Sequence, residues 1–483
     1  MVTSLFRAPV SPHPQFRQPL SAPPPPRTER LAIVSTASRL CGIAAYTDAL
    51  ERQLADAFDI TVFDLDQYLM RSLHRRVRKL ADREIKQICR EIRRFDVVNL
   101  QLEHGTLGRY GSDIFRRFCW LTEAAPRLSV TFHTLPMPPA FNTAAFLKAL
   151  ATLNFKAATR LQSEFRRAHQ LSHGIAHQLR RMQARKQVSA IVHNRRDRRD
   201  MRYVYGVRHV FDHPLSYLSI PELTAIRAGA SRRRFPILDG LAADAVLIGV
   251  FGFLNEYKGI GTAIDALQYL PSNHHLLVFG GVHPHEIAAR QRRHAYISSL
   301  FGEAYVETTL YERMTALAAK GAPQLVIDSE AALRELAGAH PRDLSARIHF
   351  MGAPEEADFL AGMAICDAVV FPYLEVGQSS SGPISQALEL GCRIIASRTH
   401  TFLEFAEYHR GAIEFFDIGN HLELAGRLSV RRQFARREGL PEFNVATNKA
   451  IYMMANSSPR GIPPQTGASR RRAQSPSPAA DCG

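Results

Sequence analysis

Residues 369–398, VVFPYLEVGQSSSGPISQALELGCRIIASR, contain in order the marks of a strand, a polar loop, a helix and a second strand. The apolar run from Ala368 to Phe371 has the length and β-branching of a buried strand, and Pro372 stops it. The loop Gly377-Gln378-Ser379-Ser380-Ser381-Gly382 carries few bulky side chains. Pro383 stands where a first helical residue tolerates a missing N–H, and Ile384, Ala387, Leu388 and Leu390 recur near helical spacing. Gly391 ends that helix, and Ile394-Ile395-Ala396 opens the next strand. A helix opening at the carboxyl end of a strand aims unpaired N–H groups and a partial positive charge at whatever occupies the loop. The loop can therefore admit a phosphate against its backbone, although an ordinary crossover without a ligand has the same pattern.

The alternation extends through most of the chain. Apolar runs predict strands at 31–35, 60–63, 97–100, 128–132, 189–192 and 203–210, and again at 245–251, 275–279, 325–327, 347–350, 368–371, 394–397 and 413–416. Helical spacing recurs at 44–54, 260–270 and 444–454. The fold class is α/β, with two doubly wound Rossmann-like domains. The first spans 29–235 and the second 244–430, the latter carrying a mainly helical insertion at 285–345. A proline-rich arm (1–28), a C-terminal helical segment (431–456) and a tail rich in Ser, Pro and Arg (457–483) flank them, and both ends read as disordered. In such domains ligands gather beyond the carboxyl ends of the strands. Gln101 to Gly105 and His133-Thr134 lie at such ends, which gives His133 a stronger claim to a role than an arbitrary histidine has.

Composition narrows the class. Hydrophobic residues make up 46% and charged residues 22%, as in soluble globular proteins. No apolar run approaches the ~18 residues that cross a bilayer, and no leader-like apolar stretch opens the chain. Lys and Arg number 61 against 45 acids, a net charge of +16 that favours polyanions such as nucleotides or an acidic lipid surface. Nucleic acid is not an expected partner, because no recognised reading module is present. Residues 71–94 predict a basic helix whose apolar stripe is Leu73, Val77, Leu80, Ile85, Ile88 and Ile92. Its charged face is either simply solvated or set against anionic lipid, the latter worth about 1 kcal/mol per basic residue. The scattered cysteines fit a reduced, cytoplasmic setting.

Several motifs are excluded. Gly259-Ile260-Gly261 follows a lysine rather than a strand, with Ile264 in the third glycine's place, so it is not a dinucleotide fingerprint. No P-loop or nucleophile elbow occurs. His283-Pro284-His285-Glu286 has no further ligand cluster, and no metal site is expected. Lys258 lies just past a strand end and before Gly259, where a compact cation suits a diphosphate; a surface pair with Glu256 is the other reading.

These residues together resemble the GT-B glycosyltransferases, specifically the family-4 group of retaining, nucleotide-sugar-dependent enzymes. The likeness rests on Gly42-Ile43 at the first helix, Gln101 to Gly105, His133 after a central strand, Gly252-x-Leu254-x-x-x-Lys258-Gly259, and Pro372 to Gly391 with Ser397, and it covers roughly residues 30–430 outside the insertion. It implies two domains facing a cleft and a nucleotide-diphosphate sugar donor, with no metal or other cofactor. The basic surface and the cysteine usage add the expectation of a glycan or lipid-linked acceptor and of a cytoplasmic protein, peripheral at the inner membrane face. Residue by residue, it implies that Gly42 faces the donor's phosphates, that His133 lies beside the transferred sugar and that Lys258 neutralises the diphosphate. Gln378, Ser379, Ser380, Ser381 and the helix from Gly382 would receive phosphates and ribose. The sequence also departs from the pattern. Phe253 stands where an arginine is usual, and Gln378 and Gln386 stand where a pair of glutamates is usual. Glu375 then becomes the candidate sugar-facing carboxylate, and Gln386 keeps the ability to hydrogen-bond ribose. The same departures motivate a second reading, a non-catalytic GT-B-like nucleotide- or sugar-binding protein.

Overall fold

The computed structural model describes residues 29–37, 42–103, 105–135, 141–281, 296, 299–300, 344–430 and 439–457. Within them lie two six-stranded sheets. The first has the order β2-β1-β3-β4-β5-β6, built from β1 (Arg30–Ser35), β2 (Asp59–Asp64), β3 (Val97–Leu102), β4 (Leu128–Phe132), β5 (Val188–Val192) and β6 (His209–Asp212). The second has the order β12-β11-β10-β7-β8-β9. Its members are β7 (Val246–Phe251), β8 (His274–Phe279), β9 (Ile348–Gly352), β10 (Ala368–Phe371), β11 (Ile394–Ser397) and β12 (Ile413–Phe416). Every pairing is parallel. Helices cover both faces of such sheets, which is why β3, β4, β5, β10 and β11 are buried along their whole length.

One core cluster fills a single face of the first sheet, where Val98, Leu100 and Val130 meet Ile85, Ile88, Phe118 and Leu179. Another lies under Ile248, Val250 and Val370 in the second. A third is shared: Leu31, Ile33 and Leu50 continue through Leu215, Tyr217, Leu218 and Phe235 to Phe251, Phe279 and Phe371. The apolar interior thus runs unbroken from one sheet to the other. Strand order reverses between β1 and β3 and again between β7 and β10, and each reversal opens a crevice at the strands' carboxyl ends. The loops after β7 and β10, which carry Lys258 and the serines, flank the second of these crevices.

Two local outcomes differ from the sequence reading. The strand expected at 203–210 is divided: helix Arg195–Tyr203 runs through its start, and β6 begins only at His209. Asn194 drives this by capping the helix, its Oδ1 accepting from Asp197 N at 2.7 Å, and Gly206 at φ +68 turns the chain into the strand. The basic helix predicted over 71–94 is Arg75–Ile92, preceded by a short helix Gln67–Met70. Its buried stripe is Ala81, Ile85, Ile88, Cys89 and Ile92, whereas Leu73 and Leu80 are 61% and 48% exposed. The first turns face helix Gly111–Ala124 through ion pairs, Arg78–Asp113 at 2.6 Å and Arg117–Asp82 at 2.7 Å, in place of apolar contacts.

The helix expected over 444–454 is present as Val445–Asn456, and it returns to the first sheet. Ser129 Oγ donates to Asn456 Oδ1 at 2.6 Å, and Ser189 Oγ donates to Ala455 O at 2.6 Å. This return accounts for the buried polar row Asn99, Gln101, Ser129, Thr131 and Ser189 on strands otherwise apolar. The expected arm 1–28, the motif at 283–286, the strand at 325–327 and nearly all of the insertion and the tail lie outside the described residues. Among the described residues no helix is long and apolar enough to cross a membrane.

Candidate active site

The loop after β7 is sewn onto the end of β10. Asn255 caps the short 3-10 helix Glu256–Lys258, and Gly259 follows at φ +61. A Cβ there would lie 1.9 Å from the carbonyl oxygen of Pro372, so only glycine permits the approach. Leu374 N donates to Tyr257 O at 2.7 Å and closes the seam. Tyr373 is fixed from behind by Ser397, whose Oγ donates to Tyr373 O at 2.6 Å. The result is a buried Lys258, 5% exposed, not the surface partner of Glu256. Its ammonium donates to Tyr373 Oη and sits 3.8 Å from the centroid of the Tyr373 ring and 4.8 Å from that of Tyr257. Among the described residues no ion pair joins it, and burial pushes its pKa down to about 7.

Tyr373 carries the contact onward, its Oη lying 3.3 Å from Ser381 Oγ. Ser381 is the N-cap residue of helix Gly382–Glu389, yet its side chain makes no capping hydrogen bond. A Cβ on Gly382 would lie 2.6 Å from Tyr217 Oη, so the helix opens under a tyrosine of the inter-domain connection. Lys258 and the amino end of this helix therefore converge through Tyr373 and Ser381. Gln386 is buried on the same helix.

The loop before the helix is tied to the first sheet. Leu135 N donates to Ser379 Oγ at 3.1 Å, Ser380 Oγ donates to His133 O at 3.1 Å, and Asn194 Nδ2 donates to Ser379 O at 3.1 Å. The side chains of Ser379 and Ser380 thus reach across the cleft to backbone of the first domain. Gln378 O accepts from Thr401, while Gln378 Oε1 is buried with no hydrogen-bond partner among the described residues. Glu375 is exposed; its carboxylate accepts from Gly377 N at 3.0 Å and His400 N at 2.7 Å, which joins the loop to the next helix. Gly42 opens helix Gly42–Leu54, exposed and with open space about its Cβ position.

His133 follows β4 and is buried beneath this loop. Its Nε2 lies 2.8 Å from Gln101 Oε1, an atom that only accepts, so Nε2 carries the proton and Nδ1 the lone pair. Gln101 in turn donates to Asn99 Oδ1 at 2.6 Å, within the polar row that faces the C-terminal helix. Burial pushes the imidazole down to about pKa 4, which keeps it neutral at ordinary pH.

Sequence reasoning gave no role to Tyr373, His193, Asn194 or Glu389, and it marked Gln101 only as part of a strand-end segment. His193-Asn194 follows β5 just as His133-Thr134 follows β4, and that repetition was the available signal. Glu389 had none. It is buried in the second domain yet accepts from Ser216 Oγ at 2.6 Å, Tyr217 N at 2.9 Å and Leu218 N at 3.2 Å of the inter-domain connection, and burial pushes its pKa up to about 7.

At the level of sequence, no family model and no curated relative matches the chain. Solved structures match its shape. Anabaena HepE in complex with UDP and glucose aligns over 88% of this chain and 98% of its own, at 13% identity and a TM-score of 0.52. Sucrose-phosphate synthase from Thermosynechococcus elongatus gives the same coverage, 14% identity and a TM-score of 0.52. The UDP-forming α,α-trehalose-phosphate synthase from Burkholderia xenovorans gives 88% and 98% coverage, 11% identity and a TM-score of 0.55. Identities this low speak to architecture alone. With two parallel Rossmann-like sheets meeting at their strand ends, the chain has the GT-B fold of these glycosyltransferases.

Proposed function

We propose that the protein is a retaining glycosyltransferase that moves a sugar from a nucleotide-diphosphate sugar to a hydroxyl of a glycan or lipid-linked acceptor. One observation carries this reading. A buried lysine without an ion-pair partner among the described residues and an uncapped helix start converge beside a neutral histidine of the facing domain. A lysine stripped of water and of counter-charge favours any ligand that brings an anion. As the diphosphate departs it gains negative charge, and each fixed donor aimed at such charge is worth about 3 kcal/mol.

In this reading Lys258 and the helix amides at Gly382 take the diphosphate, with Gly42, Gln378, Ser379, Ser380 and Ser381 around it. Gln386 takes the ribose, His133 orients the transferred sugar, and Glu375 supplies the loop's negative charge toward the oxocarbenium-like centre. The acceptor hydroxyl attacks from the face that the diphosphate leaves. The contacts between Ser379, Ser380 and the first domain hold the cleft closed and keep out water that would hydrolyse the donor. Lysine and helix supply the positive charge without a metal ion, so turnover should persist in EDTA. UDP-sugars are the first donors to try, since the structurally similar HepE binds UDP and the trehalose-phosphate synthase is UDP-forming.

The acceptor is placed in cell-surface polysaccharide or glycolipid synthesis, with the protein peripheral at the cytoplasmic membrane face. Support comes from the basic helix Arg75–Ile92 with Leu73 and Leu80 exposed. A helical hairpin tip adds to it, presenting Leu147, Leu153 and Phe155 to solvent beside Lys148 and Lys156. Sedimentation with anionic and with zwitterionic vesicles tests this part by itself.

A thermal-shift screen against UDP-, GDP- and ADP-sugars, repeated with Lys258→Ala, tests the donor site. The expected result is stabilisation by one nucleotide class that the substitution abolishes; no shift with any of them removes the proposal. Phe253, Gln378 and Gln386 favour a second reading, a non-catalytic nucleotide- or sugar-binding protein. Binding without turnover on any acceptor pool would select it.

A further inference from the structure

His193 has one nitrogen that the protein uses and one that it does not. β4 and β5 are parallel neighbours with Phe132 opposite Val192, so His133 and His193 leave the sheet side by side. Their ring centroids are 5.2 Å apart with planes tilted by 38°, and Tyr46 packs edge-on against both, at 5.5 and 5.7 Å. His193 Nδ1 lies 3.0 Å from His213 O. A carbonyl oxygen only accepts, so Nδ1 is the donor and Nε2 holds the lone pair. That Nε2 is buried, in a side chain 3% exposed, and has no hydrogen-bond partner among the described residues.

An orphaned buried acceptor is rare enough in a folded protein to require a reason. Its position supplies one. Asn194, the next residue, donates to Ser379 O of the second domain, and Ser380 donates to His133 O, so both imidazoles sit where the serine loop closes on the first sheet. Tyr46 and Tyr217, whose rings meet at 5.5 Å, wall the same place. These surroundings are largely aromatic, suited to the apolar face and the hydroxyls of a sugar.

Resting on the glycosyltransferase reading above, we infer that His193 is a positioning residue whose Nε2 accepts a hydrogen bond from a hydroxyl of a substrate sugar. A sugar O–H is a donor of the kind this nitrogen lacks, and satisfying a buried acceptor on binding gives selectivity against sugars without that hydroxyl. The hydroxyl belongs to the transferred sugar or to the acceptor. Imidazole suits the task because burial keeps it neutral, with the lone pair always present.

The test compares His193→Asn with His193→Gln. Asparagine keeps a donor near Nδ1 for His213 O and deletes the outer acceptor, whereas glutamine places an amide near Nε2. Wild type and both variants are assayed with UDP-glucose, GDP-mannose and ADP-glucose for nucleotide release and for transfer, alongside melting temperature and UDP affinity. His193→Asn is expected to melt and bind UDP as wild type does, yet to lose about tenfold in kcat/KM, with His193→Gln recovering most of it. If the hydroxyl is the donor's, hydrolysis without acceptor falls together with transfer; if it is the acceptor's, transfer alone falls. Wild-type kcat/KM in a folded His193→Asn overturns the inference and leaves the glycosyltransferase reading standing. Equal losses in both variants with lowered melting temperatures make the residue structural and also overturn it. A wild-type protein that neither binds nor turns over any of the three sugar nucleotides overturns that reading, and this inference with it.

Discussion

The two sides of the cleft bury polar groups in opposite ways. On the second domain, Lys258 is surrounded by tyrosine rings and a hydroxyl, and among the described residues no carboxylate answers its charge. On the first, His133 is fully engaged at one nitrogen by Gln101, itself anchored on Asn99, and the whole row is neutral. Both groups have depressed pKa values from the same cause, desolvation, but the consequences differ. The lysine side is an incomplete charge pair that an anion would complete; the histidine side is a hydrogen-bond network with a lone pair left over at His193 Nε2. Under the proposed function, the contrast assigns the diphosphate to one wall and the sugar hydroxyls to the other.

The largest test of this contrast is Lys258→Met. It should cost about two to three orders of magnitude in kcat/KM, and it should also raise the melting temperature of the ligand-free protein, because an unpaired buried amine is replaced by an apolar chain of similar length. A lower melting temperature would mean that the lysine is already compensated. The pH dependence sharpens the point. The folded pKa of about 7 lies below the 10.5 of a free lysine, so between those values the unfolded chain holds the extra proton. Stability from this group therefore rises as pH climbs from about 7 to 10.5, and Lys258→Met should flatten the rise. UDP, by restoring the ammonium, should bind with proton uptake at pH 8, measurable by calorimetry in buffers of different ionisation enthalpy.

On the neutral wall, His133→Asn should lower kcat by about a hundredfold with little change in UDP affinity. Loss of UDP binding here would erase the division between the walls. His133 has a folded pKa of about 4 against 6.5 when free, so the unfolded chain binds more protons in that window and stability falls as pH drops from 6.5 to 4. The substitution should lessen that fall.

Glu389→Ala tests the connection between the walls. It strips partners from one hydroxyl and two buried backbone N–H groups, and an unfolding cost of about 2–3 kcal/mol is expected in urea titrations. Here the folded pKa of about 7 exceeds the 4.5 of a free glutamate, so the stabilisation is present at low pH and is lost as pH rises from 4.5 to 7. Glu389→Gln should remove that dependence.

The smallest effect is expected at Glu375→Gln. The carboxylate is exposed and holds two backbone amides, one of which the amide side chain can keep. A loss of about 1 kcal/mol or less in stability, with a roughly fivefold drop in transfer, would make it a shaper of the loop with a modest electrostatic share. A thousandfold drop would move the decisive charge from the lysine wall to this loop.

Much of the architecture was legible because local chemistry dictates it. Apolar runs closed by Gly, Pro and small polar residues placed most strands within a residue or two, and Pro383 with Gly391 bounded the loop's helix closely. The region around 203 misled because Val and Tyr favour strands while the deciding interaction, the cap from Asn194, lies nine residues upstream. The stripe on the basic helix misled at Leu73 and Leu80 because spacing cannot say where the neighbouring helix offers carboxylates.

Of the site, the sequence by itself determined the residues that need only a strand end or a helix start to matter: His133, Lys258, the serine loop and Gly382. The chain's own covalent order puts these at the mouths of β4, β7 and β10. What only the tertiary structure decided is how they are partnered. Tyr373 under Lys258, Gln101 behind His133, the unused nitrogen of His193 and the grip of Glu389 on Ser216 to Leu218 depend on contacts between segments far apart in the chain. Hydrogen bonds and desolvation act through space over a few ångströms, and no spacing along the chain encodes that distance.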